Sequence, residues 1–299
     1  MTALTDRSNL LLGVLCGMGA GALWGLVFLA PELTRDFSPL QLTIGRYTAY
    51  GVIAAALIAP RWRAVAGRIG RAEWTALAWL SMTGNTLYYI LLASAVQLGG
   101  IALTSLVIGF LPVAVTLVGS RDRGAVPLRR LAPSILLCVG GALCIGWQAV
   151  GGAATSKGLI GLACAVGALI SWTVYAVGNA RWLRRLDGVS AHEWSLLTGV
   201  VTGAQSLLLI PFVLVLDRFG QDGAAWARFA AVCAAVAVLA SICGNALWNR
   251  MSRLLPLTLV GQMILFETVF AMVYGWLWER RLPAVLELVA LALVVLGVL

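Results

Sequence analysis

A chain of 299 residues that is 61% hydrophobic and 11% charged, with a mean hydropathy of +0.94, has too little polar surface to coat a soluble globule, which excludes a water-soluble enzyme. The net charge of +9 requires no nucleic-acid partner, because loop arginines beside anionic lipid headgroups account for it. The apolar runs are continuous rather than alternating and last about 20 residues, which at about 1.5 Å per residue matches a hydrocarbon core of about 30 Å, so the chain reads as an all-α membrane protein.

Ten transmembrane helices are predicted. The first covers residues 10–31 and carries Gly13, Gly17, Gly21 and Gly25 every four residues, a ridge along which a neighbouring backbone can approach. Asp6 beside Arg7 precedes this run and nine more spans follow it, so it reads as a retained helix rather than a secretion signal. Trp24 lies towards its far end. The second span, 38–60, holds Arg46 about eight residues from its outer end, from which a guanidinium can snorkel, so structural pairing is expected of it. The third span, 73–96, contains GNTLYY, and helical spacing puts Asn85, Tyr88 and Tyr89 on one face. The fourth, 100–119, carries Pro112, and the fifth covers 130–150.

In the sixth span, 158–179, Tyr175 and Asn179 lie four residues apart, Ser171 extends their face and Trp172 adjoins it. The seventh is 191–216, with His192 at a surface position at its start. The eighth, 229–250, repeats the earlier phrase as GNALWN and aligns Asn245, Trp248 and Asn249. The ninth, 256–278, contains Glu267, a carboxylate near mid-span, and the tenth, 284–299, is shorter than a full span.

No loop exceeds about a dozen residues, so no soluble domain is appended that would hold a conventional active site. There is no phosphate-binding G-x-x-x-x-G-K-[ST], the one lysine is Lys157, and H-E-x-x-H is missing. The six cysteines form no C-x-x-C or Cys/His cluster and read as small apolar fillers. Neither catalysis nor a metal nor another cofactor is expected. A cytoplasmic N-terminus places 14 arginines on the inner side against six basic residues outside. Both termini are therefore predicted to be cytoplasmic, in the inner membrane.

The chain also repeats itself. LLGVLCGMGAGALWG from Leu11 aligns with LIGLACAVGALISWT from Leu159, pairing Trp24 with Trp172, and the two GN phrases pair Asn85 with Asn245. Leu103-Thr104 pairs with Leu257-Thr258, and Pro127 with Gly141 pairs with Pro283 and Gly297. Five helices per copy is an odd number, so the second copy enters the membrane from the other side. Residues 1–150 and 151–299 are thus expected to be two inverted five-helix repeats with a binding site between them, the plan of a secondary transporter.

ILFETVFAMVYGWLWERRLP from Ile264 resembles the terminal EPxxAxxxGxxxLGE signature of EamA-type transporters in the drug/metabolite superfamily. NALWNRMSRLLPLTLVG and LTSLVIGFLPVAVTL resemble the matching pieces of that family's two repeats. The resemblance spans the chain and implies the same five-plus-five plan. Thr268 stands where the family usually has proline, so the ninth helix lacks that kink, whereas Pro112 keeps one in the fourth. SWTVYAVGNARW from Ser171 is similar to the YddG-type exporters of aromatic and neutral amino acids.

The implied function is export of amino acids by alternating access, with Trp24, Asn85, Tyr88, Tyr89, Trp172, Tyr175, Asn245, Trp248 and Asn249 as substrate-binding candidates. Amides and rings together suit an amino acid with an apolar side chain, although amides also serve as hydrogen-bond bridges between helices. Glu267 has three competing roles: acceptor for a substrate ammonium, proton carrier, or structural hydrogen-bond partner. The partners are a small-molecule substrate and membrane lipid, with the oligomeric state left open. The alternatives are a broader drug/metabolite or nucleotide-sugar carrier, a passive channel and an intramembrane enzyme. A phosphate-bearing cargo calls for deep basic residues, which the spans lack apart from Arg46.

Overall fold

The structure is a computed structural model that describes residues 2–119, 132–133, 136–137, 140–141, 144, 156–183, 185–186, 188–217, 219–254 and 263–298. Most of the predicted fifth span, with Cys138, and residues 256–262 of the ninth lie outside the described residues, as does the side chain of Asn249. The described residues are helical, and they contain no strand.

Helix α1 (Thr2–Leu33) leads into α2 (Pro39–Ile58), a short α3 (Trp62–Ala66), and α4 (Arg71–Ser81). A π-helical turn, Met82–Thr86, joins α4 to α5 (Leu87–Ile108), and α6 (Leu111–Gly119) follows. Helix α7 (Ser156–Leu183), α8 (Ala191–Leu208), α9 (Ile210–Leu216) and α10 (Gly223–Val236) come next. A second π-helical segment, Ala237–Gly244, then leads into α11 (Asn245–Leu254), and α12 (Leu265–Glu279) and α13 (Val285–Val298) complete the described chain.

Among the described residues, six stretches are long and apolar enough to cross a membrane: Leu10–Leu33, Pro39–Ala66, Arg71–Ile108, Ser156–Leu183, Ala191–Leu216 and Gly223–Trp248. The third runs through two of the predicted spans. The break expected between them falls at Gly100, whose φ of 84° and ψ of 168° interrupt α5. That conformation suits glycine because no Cβ opposes it.

Helices meet where glycines remove the side chains between them. A Cβ on Gly21 of α1 would lie 2.5 Å from Phe266 Cβ and 2.8 Å from Glu267 N of α12, and one on Gly25 would lie 3.0 Å from Ala271 N. The expected ridge on the first helix is therefore a packing surface. A Cβ on Gly51 of α2 would sit 2.6 Å from Gly203 Cα of α8, and one on Gly161 of α7 would sit 2.8 Å from Gly99 N of α5.

Helices α2 and α8 begin alike. Ser38 accepts from the amide of Gln41 at 3.1 Å while its own amide donates to Gln41 Oε1 at 2.9 Å. Ser190 and Glu193 make the same reciprocal pair at 3.2 and 2.8 Å. Each pair satisfies amides that a helix start leaves without partners.

Polar links tie the loops at both ends of this helix pair. At one end Arg228 pairs with Asp36, Ser38 bonds to Asp217, and Gln221 Nε2 donates to Asp36 O at 2.7 Å. At the other, Arg61 pairs with Glu193 at 3.2 Å and Arg68 Nη1 donates to Gly188 O at 2.9 Å. Beyond α12, Arg281 grips Glu287 with two bonds of 2.7 and 2.6 Å. These charge-assisted bonds raise the Arg281 pKa above its ordinary value.

Candidate functional site

The two GN phrases occupy the two π-helical segments. Gly84 and Asn85 lie inside Met82–Thr86, while Gly244 ends Ala237–Gly244 and Asn245 follows it directly. Such segments leave backbone groups open to outside partners and recur at functional sites. Each segment here receives a side-chain donor from far along the chain. Ser171 Oγ donates to Thr83 O at 2.7 Å, and Trp24 Nε1 donates to Ala240 O at 3.0 Å. The glycines make room for the rings that arrive with these donors. A Cβ on Gly84 would lie 2.3 Å from Tyr175 Cδ2, and one on Gly244 would lie 2.7 Å from Trp24 Nε1.

The asparagines are engaged inside the protein. Asn85 Nδ2 donates to Thr202 Oγ1 at 3.1 Å, and Asn245 Nδ2 donates to Ser241 O at 2.8 Å. Their neighbours fall into three ring groups. Trp24 and Trp248 have centroids 4.9 Å apart, and Trp172 and Tyr175 lie 5.7 Å apart, edge to face. Tyr89 meets Tyr47, not an expected site residue, at 5.7 Å. Tyr88 is buried beside Tyr89 on α5. Asn179 turns away from these groups and accepts from Trp194 Nε1 at 2.9 Å.

Arg46 does not snorkel. It is 8% exposed, and its guanidinium carbon lies 4.2 Å from the Tyr89 ring centroid and 5.0 Å from that of Tyr47. Nε and Nη1 of Arg46 and the Tyr89 hydroxyl are buried with no hydrogen-bond partner among the described residues. Cation–π contacts contribute about 0.5–2 kcal/mol, less than the several kcal/mol that desolvating an ion costs. The structural pairing expected of Arg46 is thus replaced by two aromatic faces. The signal was present in GRYTAY, where tyrosines follow the arginine within an apolar run.

Glu267 is also buried, at 8% exposed, in the first turn of α12 beside the glycine ridge of α1. Among the described residues its carboxylate makes neither a hydrogen bond nor an ion pair. Tyr274, on the same helix, donates instead to Ala22 O at 3.1 Å. Among the described residues no group of three metal-ligating side chains occurs.

Residues 159–299 match the model of the EamA-like transporter family. The chain is 33% identical over 305 aligned positions to the inner membrane protein YtfF of Escherichia coli strain K12, an alignment covering 96% of this chain and 93% of that protein. A protein solved by crystallography shares the fold, with a TM-score of 0.67 at 20% identity over 96% of this chain and 94% of the other.

Proposed function

Because the chain belongs to the EamA-like transporter family, we propose that it is a secondary transporter of the inner membrane that exports amino acids, aromatic and neutral ones in particular. Membership makes it a membrane transporter of the drug/metabolite superfamily rather than an enzyme. The inner-membrane placement follows the YtfF relative, and the cargo follows the aromatic surroundings of the paired GN phrases and the YddG-like sequence around Ser171.

The observation that carries the reading is the paired π-helical segments. Each is met by a helix from the other half of the chain, α7 at Thr83 and α1 at Ala240. An exchange of partners of this kind is what inverted repeats produce, and it supports ten helices arranged as residues 1–150 and 151–299. The helix contacts follow the same rule: α1 against α12 is the counterpart of α7 against α5, and α2 against α8 is its own counterpart. The cargo sits between the halves, against Trp24, Tyr88, Tyr89, Trp172, Tyr175 and Trp248, with Asn85 and Asn245 setting polar contacts. Alternating access then moves one half against the other, with both termini in the cytoplasm.

Counterflow of labelled amino acids in proteoliposomes containing the pure protein tests the proposal. Saturable exchange of phenylalanine, tryptophan or leucine supports it. Exchange of none of the amino acids, in protein that is monodisperse and inserted, overturns it.

A further inference from the structure

Among the described residues, a buried arginine and a buried glutamate of the interior leave each other unpaired. Arg46 on α2 and Glu267 on α12 are each 8% exposed, and no ion pair joins them. They are nonetheless within electrostatic reach, and Tyr88 of α5 lies within reach of both. Opposite charges free to approach would neutralise each other by forming a hydrogen-bonded pair. Held on separate helices, they leave a buried cation and a buried anion without ionic partners.

Two further features of the arginine point to an absent partner. Its Nε and Nη1 are without acceptors, and the groups packed on it are the π-faces of Tyr47 and Tyr89, which accept no conventional hydrogen bond. A planar guanidinium matches a carboxylate in geometry and charge. The Glu267 carboxylate, also without a bond among the described residues, is the acceptor that an ammonium requires.

We propose that Arg46 and Glu267 form a split receptor for the α-amino acid zwitterion, the guanidinium taking the carboxylate and Glu267 taking the ammonium. This rests on the amino-acid transport reading and deepens it. The two charges recognise what all α-amino acids share, and the rings grade the side chains. Docking the cargo supplies both charges with the partners they lack in the empty protein. An ester or a decarboxylated amine leaves Arg46 unanswered, and an N-acetylated acid leaves Glu267 unanswered.

The test is competition against labelled phenylalanine exchange in proteoliposomes, using phenylalanine, its methyl ester, phenethylamine and N-acetylphenylalanine, with wild type, Arg46→Gln, Arg46→Lys and Glu267→Gln. In wild type, each analogue missing one charge should compete at least about tenfold more weakly than phenylalanine. Arg46→Gln should weaken phenylalanine about tenfold while bringing acid and ester to the same level, and Arg46→Lys should recover part of the difference. Glu267→Gln should remove the preference for the free amine over the N-acetyl form.

Wild type that fails to distinguish acid from ester overturns the receptor whatever the variants do. So does a folded Arg46→Gln protein that still prefers acid over ester as wild type does, since Arg46 would then act only through packing. Absence of any amino-acid exchange by wild type is a different failure, that of the transport reading itself.

Discussion

Gly21→Ala is a stringent probe of how the halves are held together. Its methyl group would lie 2.5 Å from Phe266 Cβ, 2.8 Å from Glu267 N and 2.8 Å from the Phe266 carbonyl carbon. Two of these atoms are backbone and the third is a Cβ, so no rotamer change relieves the clash. Restoring ordinary contact requires α1 and α12 to separate by roughly 1 Å, and overpacking of this kind costs about 1–3 kcal/mol. At about 2–4 °C per kcal/mol for a chain of this order, the apparent Tm in detergent should fall by roughly 2–12 °C. The matched control is Gly223→Ala at the start of α10, where nothing lies within 4 Å of the added methyl. That variant should unfold at or slightly above the wild-type temperature. Scan-rate-matched thermal unfolding followed by intrinsic tryptophan fluorescence reads both. Equal Tm for the two variants would refute the close packing of α1 on α12.

Trp24→Phe removes the donor to Ala240 O and should cost about 1 kcal/mol in stability, measured by denaturant unfolding in mild detergent; unchanged stability would mean that the bond contributes nothing. Ser190→Ala should destabilise by about 1 kcal/mol through loss of the α8 cap, whereas Arg61→Ala, which loses an ion pair from a largely exposed arginine, should change little. Tyr88→Ala and Trp248→Ala, in protein that reaches the membrane, should weaken apparent substrate affinity about tenfold in counterflow; wild-type kinetics in both would assign these rings to packing. Single cysteines at Arg63 and Arg185, in a background without native cysteines, should react only with reagents admitted to the cytoplasm, and labelling from outside intact cells would reverse the orientation.

Much of the fold was legible because the membrane imposes a simple code. Apolar run length marks helices, and the gap at 97–99 marks the break that Gly100 makes. The four-residue glycine spacing on α1 was legible for the same reason, since it records a local need for closeness. The GN phrases stood out as motifs, but their π-helical form did not. That form is accompanied by donors 88 and 216 residues away in sequence, Ser171 and Trp24, which no local pattern encodes. Arg46 was misread because sequence gives a residue's depth along its helix and not the direction it faces. Tyr89, on another helix, lies against the face of its guanidinium. Glu267 was legible as a buried carboxylate, but its place against the glycine ridge of α1 depends on how α1 and α12 pack.

The crossing of α2 and α8 has a mechanical consequence. At Gly51 and Gly203 the two backbones touch with no side chain between them, so the joint has no rotamers that yield under load. The ends of the pair are also linked, through Ser38 and Asp217 at one end and Arg61 and Glu193 at the other. A joint that cannot compress acts as a fulcrum. Displacement of the loops at one end of the pair is then carried as leverage to the other end rather than absorbed along the way.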